Sequence, residues 1–225
     1  MKKFAIIPSG GRGTRFGSEI PKQYIEVNGK EIIAYTLEVF QNCDLIDGIF
    51  IAAEKEYFGL LENIKNKYHI TKLLNIVPGG KERQDSVYNA LSSIPASGDD
   101  LIAVHDAARP LLPPEILKNA INECKTSGSV VTAIKARDTL IKGNKKVFDY
   151  VQREEIYYAQ TPQVFRYDIL KPAMDLAIQE KFTGTDESML VKRSGKDVNI
   201  VDGSSLNFKI TTKSDLEIFT LISRS

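Results

Sequence analysis

The chain has 225 residues, 30 Lys plus Arg against 29 Asp plus Glu, 42% hydrophobic residues and 15 glycines, a balance that excludes intrinsic disorder and calls for a packed core. At about 100 to 200 residues per domain, one α/β domain spanning 1–225 accounts for the length. A formal net charge of +1 supplies no basic field, so neither nucleic acid nor an anionic membrane is an expected partner, and a phosphate ligand has to be held by local geometry.

The first apolar run, Phe4–Ile7, predicts a strand. Lys2 and Lys3 precede it, but the run ends in a Gly/Arg-rich segment, far short of the apolar region of an export signal. No apolar run approaches the roughly 20 residues needed to cross a bilayer, and a soluble cytoplasmic protein is expected. Further strands are predicted at Ile49–Ala53, Leu73–Val77, Leu101–Val104 and Val130–Ile134, separated by helix-like stretches near 31–42, 55–67, 82–94 and 113–125. In the third of these, Val87, Ala90, Leu91 and Ile94 recur at spacings of three and four, and Pro113 and Pro114 suit the opening turn of the fourth. Strand and helix in alternation, with right-handed crossovers, give a single Rossmann-like domain whose mostly parallel central sheet is flanked by helices. Cys43 and Cys124 belong to no CxxC and have no His at ligand spacing, so both are read as buried thiols.

From Asp138 to Arg153 the period changes: Thr139-Leu140-Ile141 and Val147-Phe148 flank the turn signal Gly143-Asn144, which predicts a protruding β-hairpin arm over 138–153. An isolated hairpin does not stabilise itself in water, so Val147, Phe148, Tyr150 and Val151 need a partner surface. A second subunit and the chain's own sheet edge both meet that need. Helices near 166–179 and 185–193, a strand near 198–201 and a closing helix near 213–222 complete the chain.

Chemistry concentrates at the ends of the predicted strands, where α/β sheets bind ligands. Ser9-Gly10-Gly11-Arg12-Gly13-Thr14-Arg15-Phe16-Gly17 follows the first strand; its glycines let backbone N–H groups approach an anion, and Arg12 and Arg15 add charge-assisted bonds. The dinucleotide fingerprint fails at Phe16, and there is no GxxxxGK[ST]. A simple structural turn is the bland alternative. Pro21-Lys22-Gln23-Tyr24 lies close enough for Lys22 to fold back over the loop. Gly79-Gly80 and Ser86 leave backbone and hydroxyl groups for a flat base, although the same residues suit a helix start. His105-Asp106-Ala107-Ala108-Arg109 sets an acid beside potential cations; Asp106 is a candidate for a metal or a sugar hydroxyl, with an Asp106–Arg109 structural pair as the alternative, and His105 is read as structural. No Ser-His-Asp, HExxH or CxxC constellation is present.

Taken in order, Gly11-x-Gly13-Thr14-Arg15, Pro21-Lys22-Gln23-Tyr24, Gly79-Gly80-x-x-Arg83-x-x-Ser86-Val87, His105-Asp106-Ala107-Ala108-Arg109-Pro110, Thr161-Pro162-Gln163, Thr185-Asp186-Glu187 and Lys209-Ile210-Thr211 resemble the 2-C-methyl-D-erythritol 4-phosphate cytidylyltransferase family nearly end to end. The resemblance implies a nucleotidyltransferase fold, transfer of CMP from CTP to the polyol phosphate in non-mevalonate isoprenoid biosynthesis, and a need for Mg²⁺. It implies that Ser9, Gly10, Gly11, Gly13, Arg15 and Lys22 hold the triphosphate and that Gly80 and Ser86 recognise cytosine. Asp106 and Arg109 then lie beside ribose and acceptor, Thr161 and Thr185 complete the acceptor pocket, and Arg15, Lys22 and Lys209 stabilise the transition state. Thr139 and Arg153, on the arm, match residues that reach across a homodimer, which favours the second-subunit reading.

Two positions depart from the family pattern: Ser9 stands where a small Ala is frequent, bringing a hydroxyl close to the nucleotide, and Lys81 stands where an acid is frequent. Cytidylyltransferases of other polyol phosphates, such as ribitol 5-phosphate, share the glycine loop. Ala108 and Thr185-Asp186-Glu187 favour methylerythritol phosphate. A sugar-nucleotide glycosyltransferase would commonly carry Asp-x-Asp, which this chain lacks, and a non-catalytic CTP sensor would not need both Lys22 and Lys209.

Overall fold

A computed structural model describes residues 1–11 and 20–224. In chain order it contains β1 Lys3–Pro8, β2 Glu26–Val27, β3 Lys30–Glu31, α1 Ile32–Gln41, β4 Gly48–Ala53, α2 Phe58–Lys67, β5 Leu73–Pro78, α3 Arg83–Ser93 and β6 Leu101–Val104. There follow α4 Pro114–Ser127, β7 Ser129–Lys135, β8 Leu140–Gly143, β9 Val147–Val151, β10 Tyr157–Arg166, α5 Tyr167–Gln179, α6 Glu187–Arg193, β11 Asn199–Asp202 and α7 Lys213–Ile222.

Seven strands form one sheet in the order β11-β7-β10-β6-β1-β4-β5. β1 pairs in parallel with β4 and β6, β4 with β5, and β7 with β11, whereas β10 runs antiparallel to both β6 and β7. The inner strands are apolar on both faces because helices cover both. Ala5 and Ile7 join Leu37, Phe40, Leu61 and Leu117 from α1, α2 and α4 on one side. Phe4 and Ile6 join Val87, Leu91, Leu170, Met174 and Leu190 from α3, α5 and α6 on the other, the period-two alternation of a strand. Phe40, with no exposed surface, lies in the first of these layers, and truncating it to Ala would cost about 3–5 kcal/mol.

α4 begins with Pro114 in its first turn and ends at Gly128, whose φ of 80° closes it in the left-handed conformation. α3 opens with a capping box between Glu82 and Asp85. Both cysteines are buried and free, as expected, and burial pushes the Cys124 thiol up to about 12.

The arm forms its own two-stranded sheet, with Leu140 opposite Val151 and Ile141 opposite Tyr150, apart from the seven-stranded sheet. Its apolar side chains stay exposed, Phe148 at 64% and Tyr150 at 67%. The chain's own sheet edge does not cover it.

β10 is absent from the sequence-based prediction. Its centre, Gln160-Thr161-Pro162-Gln163, lacks apolar alternation, and a Pro argues against a central strand. Here Pro162 falls where the pairing register shifts between Ala159 and Gln163, and the Thr161-Pro162 bond is cis. The buried polar side chains are satisfied: Gln160 bonds to Ser204, and Gln163 Oε1 accepts from Ser188 N at 2.9 Å. The short β2–β3 hairpin was likewise not predicted, being only two residues per strand.

Candidate functional site

The loops after β1, β5 and β6 are stitched together at the carboxyl ends of the parallel strands. Ser9 N donates to Ala52 O at 2.7 Å, Gly79 N to Ala53 O at 2.8 Å and His105 N to Ile6 O at 3.0 Å. Between them opens a cleft of about 480 Å³, within the usual size range for a small-molecule site. Ser9, Gly10, Gly11, Lys22, Gly80, Ser86, Asp106 and Lys209, all expected from the sequence, line it. Gly13 and Arg15 lie outside the described residues. In the lining, Lys22, Lys81, Arg83 and Lys209 outnumber Glu82 and Asp106, leaving an excess of positive charge suited to an anion.

The 3-10 turn Lys22–Tyr24 shapes the glycine loop from below. Gln23 Nε2 donates to Ser9 O at 2.8 Å and to Gly11 O at 3.2 Å. In the trans peptide between Ser9 and Gly10 this turns the Gly10 N–H away from Gln23. The Ser9 hydroxyl donates to Tyr24 Oη at 2.9 Å, so it is engaged beneath the loop. Tyr24 stacks on Tyr57 with ring centroids 4.4 Å apart, and its burial pushes the phenol up to about 12.

On the opposite wall Ser86 Oγ accepts from Gly80 N at 3.0 Å and donates to Glu82 O at 3.2 Å, folding the Gly79-Gly80 turn over the start of α3. A Cβ on Gly80 would lie 2.1 Å from Asp85 Cβ, so only glycine fits there.

Asp106 gathers the cations of the floor. Its Oδ1 accepts from Arg83 Nε at 3.1 Å; its Oδ2 meets Arg109 Nε at 3.2 Å and Lys209 Nζ at 3.0 Å. Burial alone would raise the Asp106 carboxyl, but Arg83, Lys209 and Arg109 outweigh it and hold the group far below the usual carboxylate range. The structural reading of the Asp106–Arg109 pair is observed, and Asp106 itself also lies on the cleft.

Arg109 and Thr161 stand behind Asp106 rather than in the cleft lining. Arg109 Nη1 donates to Asn207 O at 2.7 Å. Thr161 Oγ1 accepts from Asp106 N at 3.1 Å and donates to His105 Nδ1 at 3.0 Å, while His105 Nε2–H donates to Arg109 O at 3.1 Å. Burial pulls His105 down to about 4, so the ring is neutral near neutral pH, and with Nε2 protonated toward Arg109 O its Nδ1 is the acceptor for the Thr161 hydroxyl. Thr139, Arg153 and Thr185 are exposed and are not brought to the cleft of this chain; Arg153 Nη1 donates to Arg137 O at 2.5 Å.

Two side chains without an assigned role in the sequence reading prove central to the floor. Arg83 Nη1 donates to both oxygens of Glu187, at 2.7 and 2.9 Å, and Glu187 is only 1% exposed. The motifs contain both residues, but nothing local links positions so far apart.

Asp106 is a poor fit to a metal ligand, since each of its oxygens already meets a cation. Among the described residues, no group of three or more His, Cys, Asp or Glu could hold a metal ion.

Comparison with known proteins agrees with this geometry. Residues 4–225 match the model of the family IspD: 2-C-methyl-D-erythritol 4-phosphate cytidylyltransferase. The chain is 40% identical to the 2-C-methyl-D-erythritol 4-phosphate cytidylyltransferase of Geotalea uraniireducens, over 96% of this chain and 94% of that one. It is 38% identical to the enzyme of the same name from Syntrophus aciditrophicus, over 96% and 93%. Among solved structures, the Francisella tularensis enzyme superposes with a TM-score of 0.84 at 34% identity, covering 98% of this chain and 99% of that one.

Proposed function

From the premise that the chain belongs to the 2-C-methyl-D-erythritol 4-phosphate cytidylyltransferase family, we propose how its cleft transfers CMP from CTP to methylerythritol phosphate and releases pyrophosphate. The chain is a CTP-dependent cytidylyltransferase of isoprenoid biosynthesis. The acceptor is a phosphate monoester, already anionic near neutral pH, whose oxygen attacks the α-phosphorus of CTP while the bond to the β-phosphate oxygen breaks in line. No strong general base is needed. The site has to align two mutually repelling anions and stabilise charge gathering on the α-phosphoryl oxygens.

One observation carries the assignment of roles: Lys22 and Lys209, from distant parts of the chain, line the same cleft as Ser9, Gly10, Gly11 and Gly80. In this reading the Ser9–Gly11 backbone, with Gly13 and Arg15 beyond it, cradles the triphosphate; Gly80 and Ser86 frame cytosine; Asp106 meets the ribose; and Lys22 and Lys209 neutralise the transition state. Arg109 and Thr161 serve the acceptor pocket by holding Asp106 in place. Mg²⁺ is proposed to arrive with the triphosphate, since such ions keep several waters and favour phosphate oxygens, and the chain's own carboxylate is already engaged.

The same reading assigns the exposed arm to a homodimer, in which Thr139 and Arg153 of one protomer reach the acceptor phosphate in the other's cleft. Support comes from the uncovered Ile141, Val147, Phe148 and Tyr150, each more than half exposed. No helix among the described residues is long and apolar enough to cross a membrane, and a cytoplasmic setting belongs to the proposal.

The test is a pyrophosphate-release panel of CTP, ATP, GTP and UTP against methylerythritol phosphate, ribitol 5-phosphate and other alcohol phosphates. Release confined to CTP with methylerythritol phosphate is expected. Preference for ribitol 5-phosphate would overturn the acceptor, and preference for another nucleotide would overturn the base assignment.

A further inference from the structure

We propose that Glu187 is a positioning residue for nucleotidyl transfer: by gripping Arg83 from behind, it fixes the Asp106 carboxylate against which Lys209 is aligned. The inference rests on the cleft being the cytidylyltransferase site and goes on to say what holds its floor in register.

Four charges of alternating sign run in line: Glu187, then Arg83 Nη1 at 2.7 Å, Arg83 Nε to Asp106 Oδ1 at 3.1 Å, and Asp106 Oδ2 to Lys209 Nζ at 3.0 Å. Lys209 and Arg83 line the cleft, whereas Glu187 does not. A buried ion pair is weak evidence for stability, because apolar side chains of the same volume do as well or better. A pair in this place therefore calls for a reason beyond folding. Arg83 faces a site built for a triphosphate, and a guanidinium held only by Asp106 would be drawn toward that ligand, taking Asp106 with it. Glu187 supplies the counter-pull. Arg83 Nη2 is buried and has no hydrogen-bond partner among the described residues, so the guanidinium's hydrogen bonds to these residues run to the two carboxylates.

The backbone around Glu187 is anchored to match. Gln84, next to Arg83 in the first turn of α3, donates to Phe182 O at 3.1 Å and accepts from Gly184 N at 2.9 Å. Ser188 N donates to Gln163 Oε1 at 2.9 Å, and the Asp186 side chain caps α6 by accepting from Met189 N at 3.0 Å. Glu187 is thus delivered to Arg83 by a segment tied to both α3 and β10.

The test compares wild type, Glu187→Gln, Arg83→Gln and the double variant by steady-state pyrophosphate release with CTP and methylerythritol phosphate, after circular dichroism has shown that each is folded. Glu187→Gln is expected to lower kcat by about 10-fold or more while raising the KM for CTP by less than about 3-fold, a split that mere loosening of the fold would not produce. The double variant is expected to lose no more kcat than Arg83→Gln alone, since the glutamate acts through the arginine. Glu187→Asp keeps the buried charge but withdraws the carboxylate, so it is expected to fold and to show the same kcat loss should Glu187→Gln not fold. Wild-type kcat in a folded Glu187 variant, or losses that multiply in the double variant, would overturn the proposal. Absence of turnover in the wild type would instead overturn the reading of the cleft.

Discussion

Lys209 Nζ lies 3.0 Å from Asp106 Oδ2, the same oxygen that meets Arg109 Nε at 3.2 Å. One carboxylate therefore holds a cleft lysine in place while Arg83 holds the carboxylate's other oxygen. Asp106→Asn keeps the shape and removes the charge, leaving these cations without a common anion. Breaking a buried pair in this way costs about 3–5 kcal/mol, or roughly 10 °C in melting temperature for a chain of this size. Thermal denaturation should show that drop together with loss of turnover. A melting temperature equal to wild type would contradict the central place given to Asp106.

His105 sets a pH dependence with a definite sign. Its folded-state pKa is depressed from 6.5 to about 4, so the unfolded chain takes up a proton below pH 6.5 while the folded protein does not. The stability from its neutral form is complete above pH 6.5 and drains away as the pH falls through 4, a loss of about 3 kcal/mol. The Glu187 carboxyl, raised by burial, has the opposite sign: its cost appears as the pH rises above 4.5. Asp106, held low, loses its contribution only below 3.8. Melting temperature against pH should therefore fall between pH 6.5 and 4 in wild type and fall less in His105→Gln. Parallel curves would rule out His105 as the source.

Ser9 was expected to bring a hydroxyl to the nucleotide, but the hydroxyl donates to Tyr24 Oη at 2.9 Å. Ser9→Ala should cost about 1 kcal/mol of stability, the worth of one hydrogen bond, and leave the KM for CTP within about twofold of wild type. A large rise in that KM would show that the hydroxyl leaves Tyr24 to meet the ligand.

The arm carries the dimer proposal. Phe148→Asp places a charge on a side chain that is 64% exposed here, so the monomer's fold should tolerate it. Sedimentation equilibrium should show a shift toward monomer, and the KM for the acceptor should rise because Thr139 and Arg153 no longer reach it. A monomeric wild type of full activity would remove both expectations.

Much of this architecture is legible in the residues because burial on both faces writes itself as apolar runs. Phe4–Ile7, Ile49–Ala53 and Leu101–Val104 are such runs, and each lies within an observed strand. β10 escapes for the complementary reason: its buried Gln160, Thr161 and Gln163 are satisfied by side-chain hydrogen bonds, a condition that leaves no hydrophobic pattern. The glycine loop, Lys22, Asp106 and Lys209 announce themselves by position after strands or by family motif. The Arg83–Glu187 grip does not, because it joins the first residues of α3 and α6, which are far apart in the chain and meet only in the folded protein. Arg109 and Thr161 show a subtler limit: their motifs point to the acceptor pocket, whereas their observed place behind Asp106 depends on where the hydroxyl and guanidinium turn.

The proposed transfer depends most on two ammonium groups, those of Lys22 and Lys209, converging on the reacting phosphate. Turnover of CTP and methylerythritol phosphate by folded Lys22→Ala and Lys209→Ala, followed by pyrophosphate release at saturating substrate, measures that directly. Each substitution should lower kcat by roughly 10²-fold or more, comparable to the loss of one preorganised oxyanion donor. Wild-type kcat in either folded variant would contradict it.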